Sequence, residues 1–165
     1  MGYLEYCSNC GTPNERREID GRLRRVCPAC GTIHYENPRP AVTVIAVQDE
    51  TLLLVKRAEP PAVGYWCLPG GYMELGENTE DTARRELEEE TALHAGPLTF
   101  VGFCPLPGGL DANVLVCAYS ASKISGTLMP GDDASDAQYF PINDLPPVAF
   151  PCHQILIDTY LKGRS

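Results

Sequence analysis

The amino-acid sequence predicts an α/β (α+β) domain, a mixed β-sheet with helices on its faces, preceded by a small cysteine-rich β module. Two observations carry the larger unit. Short aliphatic runs rich in β-branched residues lie before and after one helix-length segment, and none of these runs is long enough to span a membrane. A third observation sets the module apart. Cys7-Ser8-Asn9-Cys10-Gly11-Thr12 returns as Cys27-Pro28-Ala29-Cys30-Gly31-Thr32, and Glu36-Asn37-Pro38-Arg39-Pro40 then reads as a linker, because two prolines block both helix and central strand. The expected boundaries are 1–36 for the module and 37–165 for the domain.

Within the module, Asp20-Gly21 between residues 16–19 and 22–26 supplies the positive φ angles of a tight hairpin turn. In the domain, residues 41–48 and 52–57 are aliphatic and flank Asp49-Glu50-Thr51, which gives two buried strands joined by a turn. A loop dense in proline, glycine and aromatics follows at 60–71. Asn78 or Thr79 caps a helix running to about Thr91, with Glu80 and Asp81 in the first turn, where the helix dipole favours anions. Further strands are expected at 98–106, 114–120 and 139–142. An amphipathic helix at 153–161, entered after Pro151 and ended near Gly163, closes the chain.

The net charge of -9 disfavours nucleic acid as a general partner, since an acidic surface repels phosphate. The distribution is uneven: residues 1–40 hold six Arg against five Asp or Glu, so the remainder carries -10. Arg16, Arg17, Arg22, Arg24 and Arg25 interleave with Glu15, Glu18 and Asp20, which reads first as a solvated hairpin of alternating charge. The start of the sequence lacks a basic-then-apolar secretory pattern, so a cytoplasmic location without a membrane partner is the expectation.

Eight cysteines without an export signal point to metal or free thiols before disulfides. Cys7, Cys10, Cys27 and Cys30 stand as two Cys-x-x-Cys turns with sixteen residues between Cys10 and Cys27, the ligand set and spacing of a structural Zn²⁺ ribbon. Cys67, Cys104, Cys117 and Cys152 sit among apolar neighbours and read as small buried hydrophobes.

The second cluster is acidic. Glu86, Glu89 and Glu90 are three and four residues apart, so a helix places them on one face beside an Ala83, Leu87, Thr91 stripe that can pack on the sheet. Like charges near a helix C-terminus repel, and a hard divalent cation, Mg²⁺ or Mn²⁺, is the expected compensating partner for such oxygens, a solvated acidic face being the other reading of the Glu88-Glu89-Glu90 run. Ahead of the helix, Gly70-Gly71 lets backbone approach a ligand closely.

The stretch from Gly71 to Leu93 resembles the Nudix box, G-x5-E-x7-R-E-U-x-E-E-x-G-U with U aliphatic. It matches at Gly71, Glu77, Arg85, Glu86, Leu87, Glu89, Glu90 and Leu93 and departs at Ala92, where the family has Gly. The resemblance implies a Nudix-type α/β/α sandwich and hydrolysis of the pyrophosphate of a nucleoside diphosphate linked to another moiety. It also implies divalent metal on Glu86, Glu89, Glu90 and the Gly71 carbonyl, with Arg85 orienting a carboxylate and Glu77 bracing the loop. A later-loop acid often serves as base in similar sequences, which brings in Asp132, Asp133 and Asp136; a polar turn after Pro130-Gly131 is the other reading of those residues.

A ribbon ahead of this domain resembles both NADH pyrophosphatases and a shorter branch of FAD or ADP-ribose pyrophosphatases. The NADH group carries S-Q-P-W-P-F-P-x-S after its box, and this chain does not. FAD or an ADP-ribose-like nucleotide is therefore the preferred substrate, with NADH or a nucleoside triphosphate as enzyme alternatives and a non-catalytic nucleotide sensor or nucleic-acid adaptor as the alternative of another class. Tyr65, Trp66 and Tyr72 are candidates to stack on a base or isoalloxazine ring and Arg57 to meet a phosphate, with Gly70 beside them. Core packing explains the aromatics equally well. Many relatives of this kind form a homodimer, an expectation on which the sequence itself is silent.

Overall fold

The computed structural model describes residues 4–106, 114–131 and 133–164, and they fall into two compact units that divide after Pro38. The first unit is a three-stranded antiparallel sheet of β1 (Glu15–Ile19), β2 (Arg22–Val26) and β3 (Ile33–His34). Asp20 and Gly21 take φ of 50° and 72°, as the Asp-Gly turn requires.

The second unit is built on a seven-stranded mixed sheet. Its strands are β4 (Arg39–Gln48), β5 (Thr51–Arg57), β6 (Trp66–Cys67), β7 (Gly70–Tyr72), β9 (Leu98–Leu106), β10 (Val114–Ala121) and β12 (Ala134–Pro141). The main order is β12-β5-β4-β10-β9, with β6 on β5 and β7 on β4. β4 and β10 run parallel, and the other pairs are antiparallel. Two short strands, β8 (Leu93–His94) and β11 (Ser125–Gly126), pair apart from the main sheet. The helices are α1 (Thr79–Thr91) and α2 (Pro151–Gly163).

The central strands β4 and β5 are buried on both faces, which explains why they read as continuous apolar runs. Val42, Val44, Ala46 and Leu53 pack with Ala83 and Leu87 of α1, while Ile45, Leu52 and Leu54 pack with Cys152, Leu156 and Ile157 of α2. Period-two alternation thus sorts one strand's side chains between two helices, an α/β/α sandwich.

Several boundaries differ from expectation. β4 starts at Arg39, so Arg39 and Pro40 belong to a strand beside β10 rather than to a linker. The loop at 60–71 contains β6 and the start of β7, each too short to show periodicity. β12 begins at Ala134, five residues early, because polar Ser135 and Asp136 lie on an exposed stretch that the apolar pattern misses.

Candidate active site

The helix α1 is positioned at both ends. Asn78 accepts hydrogen bonds from the Glu80 and Asp81 N–H groups, and Leu87, fully buried, anchors the middle on the sheet. Ala92 closes the helix in the left-handed region at φ 56° and donates its N–H to the Glu88 carbonyl. The position where the box calls for glycine is therefore one that glycine suits, and the alanine costs roughly 1–2 kcal/mol there without touching a carboxylate.

The preceding loop is held by β4: Thr43 Oγ1 and Val44 N–H both donate to the Pro69 carbonyl at 2.9 Å. This draws Gly70 and Gly71 against two neighbours. A Cβ on Gly70 would lie 2.2 Å from the Val42 carbonyl oxygen, and one on Gly71 would lie 2.4 Å from Glu86 Oε1. Backbone contact requires glycine at Gly70, whereas a side chain at Gly71 would displace the Glu86 carboxylate.

Arg85 is the hub of the acidic cluster. Its Nε donates to Glu77 at 2.6 Å, one terminal nitrogen bridges Glu86 at 2.7 Å and Glu89 at 2.9 Å, and the other reaches the Tyr72 carbonyl and Glu77, each at 3.0 Å. Glu77 also accepts from the Glu74 N–H and the Thr82 hydroxyl, which ties the loop to the helix. The Arg85 guanidinium, aided by those donors, holds the Glu77 carboxyl down to about 2. Glu90 faces inward, only 8 % exposed, and accepts from the Gly70 N–H at 3.0 Å. Burial, reinforced by the nearby Glu86 charge against the partial relief of that hydrogen bond, pushes Glu90 up to about 8. Burial likewise raises Glu86, against the pull of Arg85.

Glu86 and Glu90 thus converge on the Gly70–Gly71 backbone, whereas Glu89, its side chain 59 % exposed, is drawn to Arg85. Among the described residues only the four cysteines bring three or more ligand atoms within 4.8 Å of one another. Arg85 holds Glu86 and Glu89 while the Gly70 N–H holds Glu90, so the three carboxylates have separate anchors. The donor chemistry suits a hard cation: oxygens only, one carboxylate buried without a basic partner in contact, and a glycine pair that leaves room beside it.

A cavity of about 220 Å³ opens next to this cluster, bordered by Gly70, Gly71 and Tyr72 and by Arg57, Phe150 and His153. Arg57 is pinned by carbonyls, Pro61 at 2.6 Å and Glu59 at 3.2 Å, with its guanidinium 5.3 Å over the Phe150 ring. Tyr72 is half-exposed under Arg39. Tyr65 is exposed and does not border the cavity; Trp66 packs edge-on against Phe140 at 4.7 Å in the α2-side core, and the structure brings neither to the site. Asp133 is an exposed turn residue whose charge reaches Glu90, Asp136 lies in β12 and caps its neighbour's N–H, and Asp132 falls outside the described residues.

Phe150 and His153 are the residues that sequence reasoning missed. His153 is the polar exception on the buried stripe of α2, and that was its only signal; its Nδ1 accepts from the Leu68 N–H at 3.1 Å. Burial, with the Arg57 charge behind it, lowers its pKa to about 4. Cys67 borders the same cavity, but burial and the Glu90 charge push it up to about 12, so it is inert as a thiolate.

In the first unit the two Cys-x-x-Cys turns are copies. Cys7 and Cys27 N–H groups donate to Thr12 and Thr32 carbonyls, Gly11 and Gly31 N–H groups return to Cys7 and Cys27, and both glycines sit at φ 74°. Sulfur separations of 3.7 Å for Cys7–Cys30, 3.4 Å for Cys10–Cys27 and 3.6 Å for Cys10–Cys30 approach the edge of roughly 3.8 Å that a tetrahedron with Zn–S bonds of about 2.3 Å has. All four are free of disulfides.

The NUDIX domain family matches residues 37–159, and the Nudix N-terminal family, a zinc ribbon, matches residues 5–36. The chain belongs to the Nudix family. An ADP-ribose pyrophosphatase of Methanocaldococcus jannaschii is 35% identical over 79% of this chain and 78% of its own length. An NAD-capped RNA hydrolase, NudC, of Stutzerimonas stutzeri is 31% identical over 96% of this chain, which spans 56% of that longer protein. A Nudix hydrolase structure from Nitrosomonas europaea superposes with a TM-score of 0.77 at 27% identity, covering 98% of this chain and 92% of that one.

Proposed function

We propose that the chain hydrolyses the pyrophosphate bond of a nucleoside diphosphate linked to another moiety, with ADP-ribose or FAD as preferred substrates and a nucleoside monophosphate as one product. The observation that carries this reading is the convergence of Glu86 and Glu90 on the Gly70–Gly71 backbone, beside a largely apolar cavity with one arginine at its edge. Glu86, Glu89, Glu90 and the Gly71 carbonyl would hold Mg²⁺ or Mn²⁺, which supplies Lewis acidity toward the two phosphates. Arg85 presents Glu86 and Glu89 in fixed orientation, and Glu77 locks Arg85 in turn. The glycine pair admits the diphosphate to the backbone, and Tyr72 and Phe150 offer ring faces to the flat part of the substrate. Cys7, Cys10, Cys27 and Cys30 would hold a structural Zn²⁺.

The relatives divide on substrate. The similarity to an ADP-ribose pyrophosphatase over most of both chains supports the small-molecule reading, and the lack of the S-Q-P-W-P-F-P-x-S motif supports it further. The NudC match, which spans ribbon and domain together, favours an NAD-capped RNA as the second reading. Hydrolysis of ADP-ribose, FAD, NADH, a nucleoside triphosphate and NAD-capped RNA, compared at equal concentration with Mg²⁺ or Mn²⁺, decides between them. AMP release fastest from ADP-ribose or FAD is expected; faster decapping of RNA transfers the assignment to the second reading, and no turnover of any of the five overturns both.

A further inference from the structure

The ribbon sheet holds a feature that metal binding and pyrophosphate hydrolysis leave unused. The strand register sets Arg16 directly opposite Arg25 and Arg17 directly opposite Arg24, and on the next strand Arg25 stands opposite His34. Like charges facing each other across a strand pair destabilise it, so two such arginine pairs, one on each face of a hairpin of two five-residue strands, call for a counter-anion. Arg17 finds one within the chain, in Glu15 at 2.9 Å. Arg24 lies over the Tyr35 ring at 4.9 Å, which leaves its charge without a carboxylate. Arg16, Arg22 and Arg25 have no ion-pair partner among the described residues, although Glu36 borders the same hollow.

That hollow is a cavity of about 280 Å³ lined by Arg16, Arg22, Arg24, Arg25, His34 and Glu36. His34 supplies an independent signal. It is only 7 % exposed, and its Nε2 is buried with no hydrogen-bond partner, whereas buried polar atoms are ordinarily satisfied. A cavity lined by four arginines that no carboxylate pairs among the described residues, with the buried and unsatisfied His34 at its border, is built for a compact anion. Guanidinium forks fit tetrahedral phosphate oxygens, and several positive charges favour a dianion over a monoanion. A polymer track fits less well: Glu15, Glu18 and Asp20 interrupt the basic residues along the hairpin, and a continuous stripe is what a phosphodiester backbone requires.

We propose that the ribbon carries a second anion site, formed by Arg16, Arg25 and His34 with Arg22 and Arg24 at its edge, that binds a phosphomonoester. The phosphate group is the shared chemistry of two sources, inorganic phosphate and the 5′-phosphate of a nucleoside monophosphate. The site lies wholly within the first unit and does not depend on the hydrolytic assignment.

The experiment titrates the zinc-loaded full chain, without Mg²⁺ or Mn²⁺, with inorganic phosphate, with AMP and with a short 5′-hydroxyl RNA, reading backbone and imidazole ¹⁵N shifts. Saturable shifts at Arg25 and His34 with phosphate or AMP are expected, and the tighter of the two names the source. The Arg16→Gln/Arg25→Gln double variant should bind at least tenfold more weakly. Because the substitution removes the like-charge pair, its ribbon should be no less stable than wild type when phosphate is absent, which separates a binding role from a structural one. Absent shifts, undiminished binding in the double variant, or binding of the RNA alone would each overturn the proposal.

Discussion

The ribbon and the Nudix domain solve the same problem of gathering like-charged ligands in opposite ways. In the ribbon four sulfurs crowd within 4.8 Å, set there by two identical backbone turns, while the buried apolar residues of that unit are only Cys7, Val26 and Cys27 among the described residues. In the domain two full hydrophobic layers hold the sheet and helices, and the carboxylates are spread, two on Arg85 and one on Gly70. So little core predicts that the ribbon needs a bound ion to fold, and a complete core predicts that the domain folds whether or not its acidic cluster is filled.

Zinc removal probes the difference most strongly. Structural zinc contributes on the order of 10 kcal/mol in small ribbons, so chelation at neutral pH should erase the dispersed amide signals of residues 5–36. The fluorescence transition of Trp66, the single tryptophan, should persist because it reports on the domain core. Loss of both signals together would show that the domain, too, relies on the ribbon's metal.

A smaller effect tests the domain's core by pH. His153 is buried neutral with a pKa near 4, whereas a histidine in the unfolded chain titrates near 6.5. Between those values the unfolded chain binds more protons, so stability present above pH 6.5 is lost as the pH falls toward 4, by about 3 kcal/mol in all. Glu90, raised to about 8 from an ordinary 4.5, acts in the opposite sense over pH 4.5–8 and offsets the wild-type slope. Urea unfolding followed by Trp66 should therefore show the His153 contribution as a difference, wild type losing more stability than His153→Gln between pH 6.5 and 4; equal slopes in the two would place the titrating group elsewhere. The smallest change expected is at the helix exit. Ala92→Gly relieves a left-handed alanine at φ 56° and should raise domain stability by about 1 kcal/mol, with turnover unchanged; a fall in the urea midpoint would contradict the strain argument.

Where local chemistry alone dictates structure, the sequence was readable. The Asp20-Gly21 turn, the duplicated cysteine turns, the Asn78 cap and the strand at 98–106 follow from short-range rules and stand where those rules put them. What depends on long-range contact was not. β6 and β7 exist because Val55 and Lys56 and the residues Ala41 to Thr43 pair with them, and two- or three-residue strands show no period of their own. His153 meets Leu68 across 85 positions, and the five-donor role of Arg85 needs Tyr72, Glu77, Glu86 and Glu89 brought together in space. Residue type singles out Tyr65 and Trp66, but which aromatic borders the cavity depends on long-range packing, and neither of these does.

The most direct test of the hydrolytic assignment is single-turnover cleavage of ADP-ribose with saturating Mg²⁺ by wild type, Glu86→Gln, Glu89→Gln and Glu90→Gln, each checked for an unchanged Trp66 unfolding transition. Each variant should lose about 10²- to 10³-fold in rate while remaining folded. Folded variants that cleave at the wild-type rate would contradict the placement of the reaction at this helix.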